Sequence, residues 1–328
     1  MTGGAGDTTM AMGEQDDGAA NPSSADDLAG VRQRFAARVL RVAGVDDARL
    51  GAAFAAVPRE AFLPPGPWSI SVAGGGFAPT ADVAALYADC LVAIDAGRGL
   101  NNGQPSLHAR MLHALAPPVG GTVVHIGAGR GYYTAILAHL VGPGGAVLGI
   151  EIVKDLAQAA QAALVRAGLG WAGVRHGDGH GGGASLGAGA DLGVDAADGV
   201  YVNAGLAGLV PDWVAALKPG RRLVMPLTLE PDLAGTIPRW GRVLVVEARA
   251  HSAASGVYAA RLADPVAFVG CVGQRDRLAQ ARLAEAVRTG ALDRLASVRL
   301  DVPQAEETRA ADPLLSGPGW ALSAVPAD

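Results

Sequence analysis

Between Val31 and Val42, apolar residues recur at spacings of three and four (Val31, Phe35, Val39, Val42), which predicts an amphipathic helix with one face turned to a core. A second helix is expected just after it, where Leu50 and Phe54 share a face and Pro58, then Pro64-Pro65, mark its end. A glycine-rich loop (73–77) follows, and "ADVAALYADCLVAID" (81–95) reads as a helix running into an apolar stretch. The turn-rich "AGRGLNNGQP" (96–105) hands over to a helix ending at Leu115. Pro105 suits its first turn, where the missing N–H costs no helical bond.

From Gly121 onward the pattern alternates. Apolar runs at 122–126, 146–151, 172–176, 197–203 and 221–227 read as strands, with helical patterns at 131–140, 154–167 and 211–218. Strands that are apolar throughout and separated by helices imply a parallel sheet covered on both faces. His180–Leu192 is a glycine-rich loop. After Pro226, "RVLVVEARA" and "GVYAARLADPVAFVGCV" read as antiparallel strands joined by "HSAASG", and "RDRLAQARLAEAVRTG" as a late amphipathic helix. Residues 299–328 suggest no single element. The expected class is α/β, a mostly parallel sheet with an antiparallel strand at its end, helices on both faces and an N-terminal helical extension.

Composition narrows the setting. Half of the 328 residues are hydrophobic, enough for a sizeable core. The net charge of −5 argues against a general phosphate-binding surface, so no nucleic-acid partner is expected. Much of the acidity (Asp7, Glu14, Asp16, Asp17, Asp26, Asp27) lies in a stretch without hydrophobic periodicity, and 1–27 is expected to be a disordered acidic tail. No secretory signal is visible and no apolar run reaches the ~18 residues of a membrane span. With Cys90 and Cys271 as the two cysteines, both expected to be buried thiols, a disulfide framework is excluded and a cytoplasmic location is expected. The divisions expected after the tail are 28–120 (helical cap and acceptor loop), 121–272 (α/β domain) and 273–328 (C-terminal extension).

The chemistry concentrates at the end of the strand 122–126. There Gly127, Gly129 and Gly131 alternate, a turn that lets peptide N–H groups approach a ligand closely. A dinucleotide fingerprint needs glycine at the position held by Tyr132, so a ligand without a pyrophosphate fits better. The second strand ends at Glu151, 24 positions after Gly127, where a carboxylate can accept from both ribose hydroxyls. The third ends beside Asp178, placed to accept from an exocyclic amine. His176, Asp178 and His180 alternate as metal ligands would, but Gly177 and Gly179 signal a turn, and three groups fall short of a zinc set.

These pieces carry a resemblance. "VPREAFLPPG" (57–66), "LYADCLVAI" (86–94), "GQPSLHARML" (103–112), "VVHIGAGRGYYTAILA" (123–138), "IE" (150–151) and "GDG" (177–179) stand in the order found in protein-L-isoaspartate O-methyltransferases, within the Rossmann-like class I S-adenosylmethionine-dependent methyltransferases. The chain resembles that family over roughly residues 30–228. The resemblance implies S-adenosylmethionine as cofactor and a carboxylate of a protein or peptide as acceptor. Gly127, Gly129 and Gly131, with Tyr132, would border the cofactor's amino-acid part. Glu151 and Ile152 would hold the ribose, Asp178 and Gly179 the adenine, and the loop 100–108 would receive the acceptor.

Two positions depart from the pattern. The family's Thr-Ile-Ser is here Asn101-Asn102-Gly103, so the amides of Asn101, Asn102 and Gln104 are expected to orient the acceptor, with Asn203 lining the pocket. The acid that usually ends the first strand is His125, which lacks the charge to support the cofactor's ammonium. Three other readings stand beside a protein carboxyl methyltransferase: a cofactor-binding protein without turnover, a methyltransferase of small-molecule acids, and a nicotinamide oxidoreductase. The acceptor and the oligomeric state are not legible in the residues.

Overall fold

The computed structural model describes residues 25–179, 196–230, 240–266, 276–300 and 313–327. The tail up to residue 24, His180 with the loop beyond it, and Cys271 lie outside the described residues. Helices α1 (Ala25–Ala43) and α2 (Ala48–Ala56) form where the periodicity places them. The Asp47 carboxylate accepts from the Leu50 N–H at 3.0 Å, satisfying a donor that the first turn of α2 would otherwise leave unpaired. Phe35, Val39, Leu50 and Phe54 are all buried in one core.

The segment that follows departs from expectation. A hairpin of β1 (Trp68–Ser71) and β2 (Phe77–Thr80) precedes residues 81–95, which make one short turn at Ala84–Tyr87 and then the short strand β3 (Ala93–Asp95), paired with β4 (Leu100–Asn101). A tertiary contact overrides the helical pattern. The guanidinium of Arg59, fully buried, donates to the carbonyls of Leu86, Ala88 and Cys90, which a helix continuing to residue 94 would spend on its own N–H groups. The helix α3 (Pro105–Leu115) then begins at Pro105 as expected.

The alternation after Gly121 resolves as β5 (Thr122–Ile126), α4 (Tyr132–Val141), β6 (Ala146–Glu151), α5 (Lys154–Arg166), β7 (Ala172–His176), β8 (Gly199–Val202), α6 (Pro211–Ala215) and β9 (Arg222–Leu229). The antiparallel part is longer than one strand. It comprises β10 (Trp240–Glu247), β11 (Val257–Pro265), β12 (Ser297–Leu300), β13 (Leu315–Gly317) and β14 (Trp320–Ser323), with α7 (Arg277–Arg288) between β11 and β12. All join one ten-stranded sheet in the order β13-β14-β12-β11-β10-β9-β8-β5-β6-β7. Pairing is parallel from β9 to β7 and antiparallel beyond β9. Successive residues of β5 and β6 enter opposite cores: Val123 and Val147 face one, Val124 and Leu148 the other. That is why these strands are apolar at every position.

Topology fixes where ligand chemistry can occur. With β5 between β6 and β8, the carboxyl ends of three parallel strands meet at the switch in strand order, where open α/β sheets bind ligands. No helix among the described residues is long and apolar enough to cross a membrane.

Candidate active site

The glycine turn leaves β5 with Gly127, Gly129 and Gly131 at φ of +75°, +55° and +90°, conformations that side-chain-bearing residues rarely adopt. A Cβ at Gly127 would meet the Asn203 carbonyl at 3.3 Å, and one at Gly129 the Ile94 side chain at 3.2 Å. Gly131 serves packing instead: a Cβ there would press on Ala160 of α5 at 3.1 Å, and it is absent from the cavity lining. The expected row of N–H donors facing a ligand is not what the turn provides. The N–H groups of Gly127 and Ala128 donate to the Ile150 carbonyl, that of Gly129 to Glu151, and that of Gly131 to the Ala128 carbonyl. The turn contributes bare backbone surface more than donors.

Glu151, at the tip of β6 and nearly buried, clamps the turn. Its Oε2 accepts from the Gly129 N–H at 2.7 Å, and its Oε1 from the Val153 N–H at 2.9 Å. Each oxygen retains a lone pair for another donor.

Two cavities adjoin along this turn and share Ile94, Asn101, Gly127, Gly129 and Asn203. The smaller, about 110 Å³, is walled by Glu151, Ile152, Asp178 and Gly179. The larger, about 690 Å³, is walled by Asn102, Gln104, His108, Arg110, Arg130 and Tyr132. Every sequence-predicted site residue except Gly131 therefore lines one crevice.

The larger cavity has a chemical signature. Among the described residues, eight buried side-chain nitrogen or oxygen atoms lack an aligned hydrogen-bond partner, and seven belong to residues lining it: Asn102 Nδ2, Arg110 Nε (held in an ion pair 3.2 Å from Asp264), Arg130 Nε, the Tyr132 and Tyr133 hydroxyls, Asn203 Oδ1 and Thr228 Oγ1. Buried polar atoms are ordinarily paired, so this concentration marks a place built for a polar ligand.

The acceptor-loop amides are unequal. Asn101 Oδ1 accepts from the Gly103 N–H at 2.9 Å, and Gln104 Nε2 donates to Asp89 at 2.9 Å. Asn102 Oδ1 accepts from Arg59 at 3.1 Å and from the Val92 N–H at 3.0 Å, which fixes its amide and leaves its N–H groups unspent. Arg59 also packs against the rings of Phe35 and Tyr132, at 5.9 and 6.0 Å. Sequence reasoning missed Arg59, whose "VPREAF" stretch was the available signal.

Gly103 has a steric reason. At φ +74°, a Cβ there would fall 2.0 Å from His108 Nε2. The His108 ring stacks on Tyr133 at 3.7 Å between centroids, its Nδ1 lies 2.6 Å from the Tyr201 hydroxyl, and it fills the space a side chain at 103 would need. Burial holds the His108 imidazole well below its ordinary pKa, and the charge of Arg59 acts in the same direction. Burial likewise pushes His125 down to about 3. Both rings are neutral at physiological pH.

With this geometry in place, the likeness to known proteins is decisive. The family model of protein-L-isoaspartate(D-aspartate) O-methyltransferase matches residues 37–234, more than half of the chain. The chain belongs to that family. Protein-L-isoaspartate O-methyltransferase 1 of Rhodopseudomonas palustris is 36% identical over 216 residues, 64% of this chain and 76% of that protein. The protein-L-isoaspartate O-methyltransferase of Methylorubrum extorquens is 34% identical over 201 residues, 61% and 75%. The fold matches a solved protein-L-isoaspartate O-methyltransferase with a TM-score of 0.58 at 21% identity, over 74% of this chain and 66% of that one. A Plasmodium falciparum structure described as a protein-L-isoaspartate O-methyltransferase, solved with S-adenosyl-L-homocysteine, gives 0.53 at 18% identity, over 73% and 97%.

The family match ends before β10, yet Trp240, Pro265 and Val266 wall the larger cavity. This protein-L-isoaspartate O-methyltransferase family member thus builds part of its cavity from strands outside the family match. Among the described residues no three potential metal ligands converge; His176 and Asp178 are described, while His180 lies outside.

Proposed function

We propose that this chain is an S-adenosylmethionine-dependent O-methyltransferase that esterifies a free carboxylate of a protein or peptide, an isoaspartyl residue being the first candidate. Bound S-adenosylmethionine supplies an electrophilic methyl group on its sulfonium. Glu151 holds the ribose hydroxyls with the lone pairs left after it has clamped Gly129 and Val153, and Ile152, Asp178 and Gly179 form the adenine side. On the other side of the turn, the Asn102 amide N–H groups and the Arg130 guanidinium hold the acceptor carboxylate, while Arg110 is ion-paired with Asp264 at 3.2 Å. A carboxylate is already ionised at neutral pH, so no general base is required. The residues' work is alignment and exclusion of water, the entropic part of catalysis.

What carries this reading is the set of unpaired buried polar atoms on one side of the turn, with Glu151 on the other. The neutral, sterically locked Gly103–His108 pair in place of the family's hydroxyl supports a second acceptor, an ordinary carboxylate in a dedicated peptide.

The test is incubation with radiolabelled S-adenosylmethionine and three acceptors: an isoaspartyl peptide, its aspartyl counterpart and a small-molecule dicarboxylic acid. Base-labile label on the isoaspartyl peptide alone is the expected result. Label on the aspartyl peptide instead favours the second reading. Label on neither peptide overturns the proposal.

A further inference from the structure

His125 stands where the family pattern has an acid, and the structure shows what it does there. Its ring is fully buried, with Nδ1 2.9 Å from Thr134 Oγ1 and Nε2 2.9 Å from Asn203 Nδ2. The amide nitrogen of Asn203 can only donate, so Nε2 must be the acceptor. A neutral imidazole with an accepting Nε2 carries its proton on Nδ1, which therefore donates to Thr134. This chain of bonds engages the nitrogen end of the Asn203 amide and leaves its oxygen end outside it. Asn203 Oδ1 is buried, lacks a partner and belongs to a residue lining both cavities.

Among the unpaired buried atoms of the described residues, Asn203 Oδ1 differs in kind. Asn102 Nδ2 and the three arginine Nε atoms can only donate, and the three hydroxyls can do either. Asn203 Oδ1 can only accept. It also sits at a defined point: the Asn203 N–H pairs with the Ile126 carbonyl at 2.8 Å, and its own carbonyl lies 3.3 Å from where a Cβ on Gly127 would be. A donor-only, positively charged group beside Gly127 is its complement. Resting on the methyltransferase reading above, that group is the ammonium of the cofactor's amino-acid part.

We infer that Thr134, His125 and Asn203 form a relay that presents Asn203 Oδ1 to the cofactor's ammonium group, replacing by a fixed amide dipole the carboxylate charge missing at position 125. Asn203 is the binding group. His125 and Thr134 are positioning residues that act through it.

Paired ligands test the relay by calorimetry. S-adenosylhomocysteine carries the ammonium; 5′-methylthioadenosine lacks the amino-acid part. Asn203→Ala removes one hydrogen bond to a charged group and should weaken S-adenosylhomocysteine by roughly tenfold or more, leaving methylthioadenosine within about twofold. Thr134→Val keeps the shape but withdraws the Nδ1 acceptor. The His125 proton then moves to Nε2, the Asn203 amide reverses, and an NH₂ group faces the ammonium, so the loss should match or exceed that of Asn203→Ala. His125→Gln retains an acceptor for Asn203 and should bind more tightly than His125→Leu. Nitrogen NMR should show His125 as the Nδ1–H tautomer in the unmodified protein and as Nε2–H in Thr134→Val.

Retained methylthioadenosine binding certifies that each variant is folded. Equal affinity of Asn203→Ala and unmodified protein for S-adenosylhomocysteine would sink the relay while leaving the cofactor reading intact, as would an Nε2–H tautomer in the unmodified protein. Failure of the unmodified protein to bind either nucleoside refutes the cofactor reading itself, and the relay with it.

Discussion

The glycine turn with Glu151 and the loop 89–104 with Arg59 line the same crevice but are held by opposite means. The first is local and backbone-made: four peptide N–H groups and one carboxylate at a strand tip close the turn on itself. The second is long-range and side-chain-made: a buried guanidinium reaches from residue 59 to the carbonyls of 86, 88 and 90 and to the amide of Asn102. The cofactor side is thus fixed by topology, which varies little with sequence. The acceptor side is fixed by one cation, and its geometry changes with whatever that cation holds.

Three perturbations probe this contrast, the strongest first. Glu151→Ala removes the turn's clamp together with the proposed ribose acceptor. Two or three hydrogen bonds to a charged group are at stake, so S-adenosylhomocysteine affinity should fall by about 3–5 kcal/mol in titration calorimetry. Retained affinity would mean that the turn needs no clamp. Arg59→Met takes the guanidinium donor from the carbonyls of Leu86, Ala88 and Cys90 and leaves the Asn102 oxygen with the Val92 N–H alone. Denaturant unfolding should register a loss of about 3 kcal/mol, and KM for the acceptor should rise while cofactor affinity holds. Parallel loss of both affinities would show that the two sides are one cooperative unit.

The smallest effect is acid sensitivity. The folded-state pKa of His125 lies near 3, below the unfolded value, so the unfolded chain takes up its proton first. The stabilisation is complete above about pH 6.5 and is lost at up to about 1.4 kcal/mol per pH unit as pH falls towards 3. His108 acts in the same direction. Urea midpoints measured at pH 7 and 5 should fall further for the unmodified protein than for His125→Gln, which has one fewer buried imidazole to charge.

The same contrast governs what could be read in the sequence. The strands that carry the site were legible to within two residues, since apolar runs between helical periods leave few alternatives once a parallel sheet is assumed. Glu151 was legible because its distance from the turn follows from one strand–helix–strand unit. Asn203 was placed at the crevice, but its pairing with His125 depends on β5 lying beside β8, which periodicity does not specify. Residues 81–95 were misread as a helix because the carbonyls there are claimed by Arg59, more than twenty positions earlier. The amide of Asn102 was named, but not that its oxygen is already spent. The fold follows from local pattern; the acceptor chemistry depends on contacts that only the closed chain makes.

The hairpin of β10 and β11 carries Trp240 and Pro265 to the wall of the larger cavity, with β10 paired to β9 on one side and β11 to β12 on the other. That part of the wall therefore belongs to the antiparallel half of the sheet, apart from the tips of β5 and β6 that carry the glycine turn and Glu151. Substitutions at Trp240 and Pro265 can reshape the larger cavity while leaving the Glu151 clamp in place, so selectivity and transfer power are free to evolve at different rates.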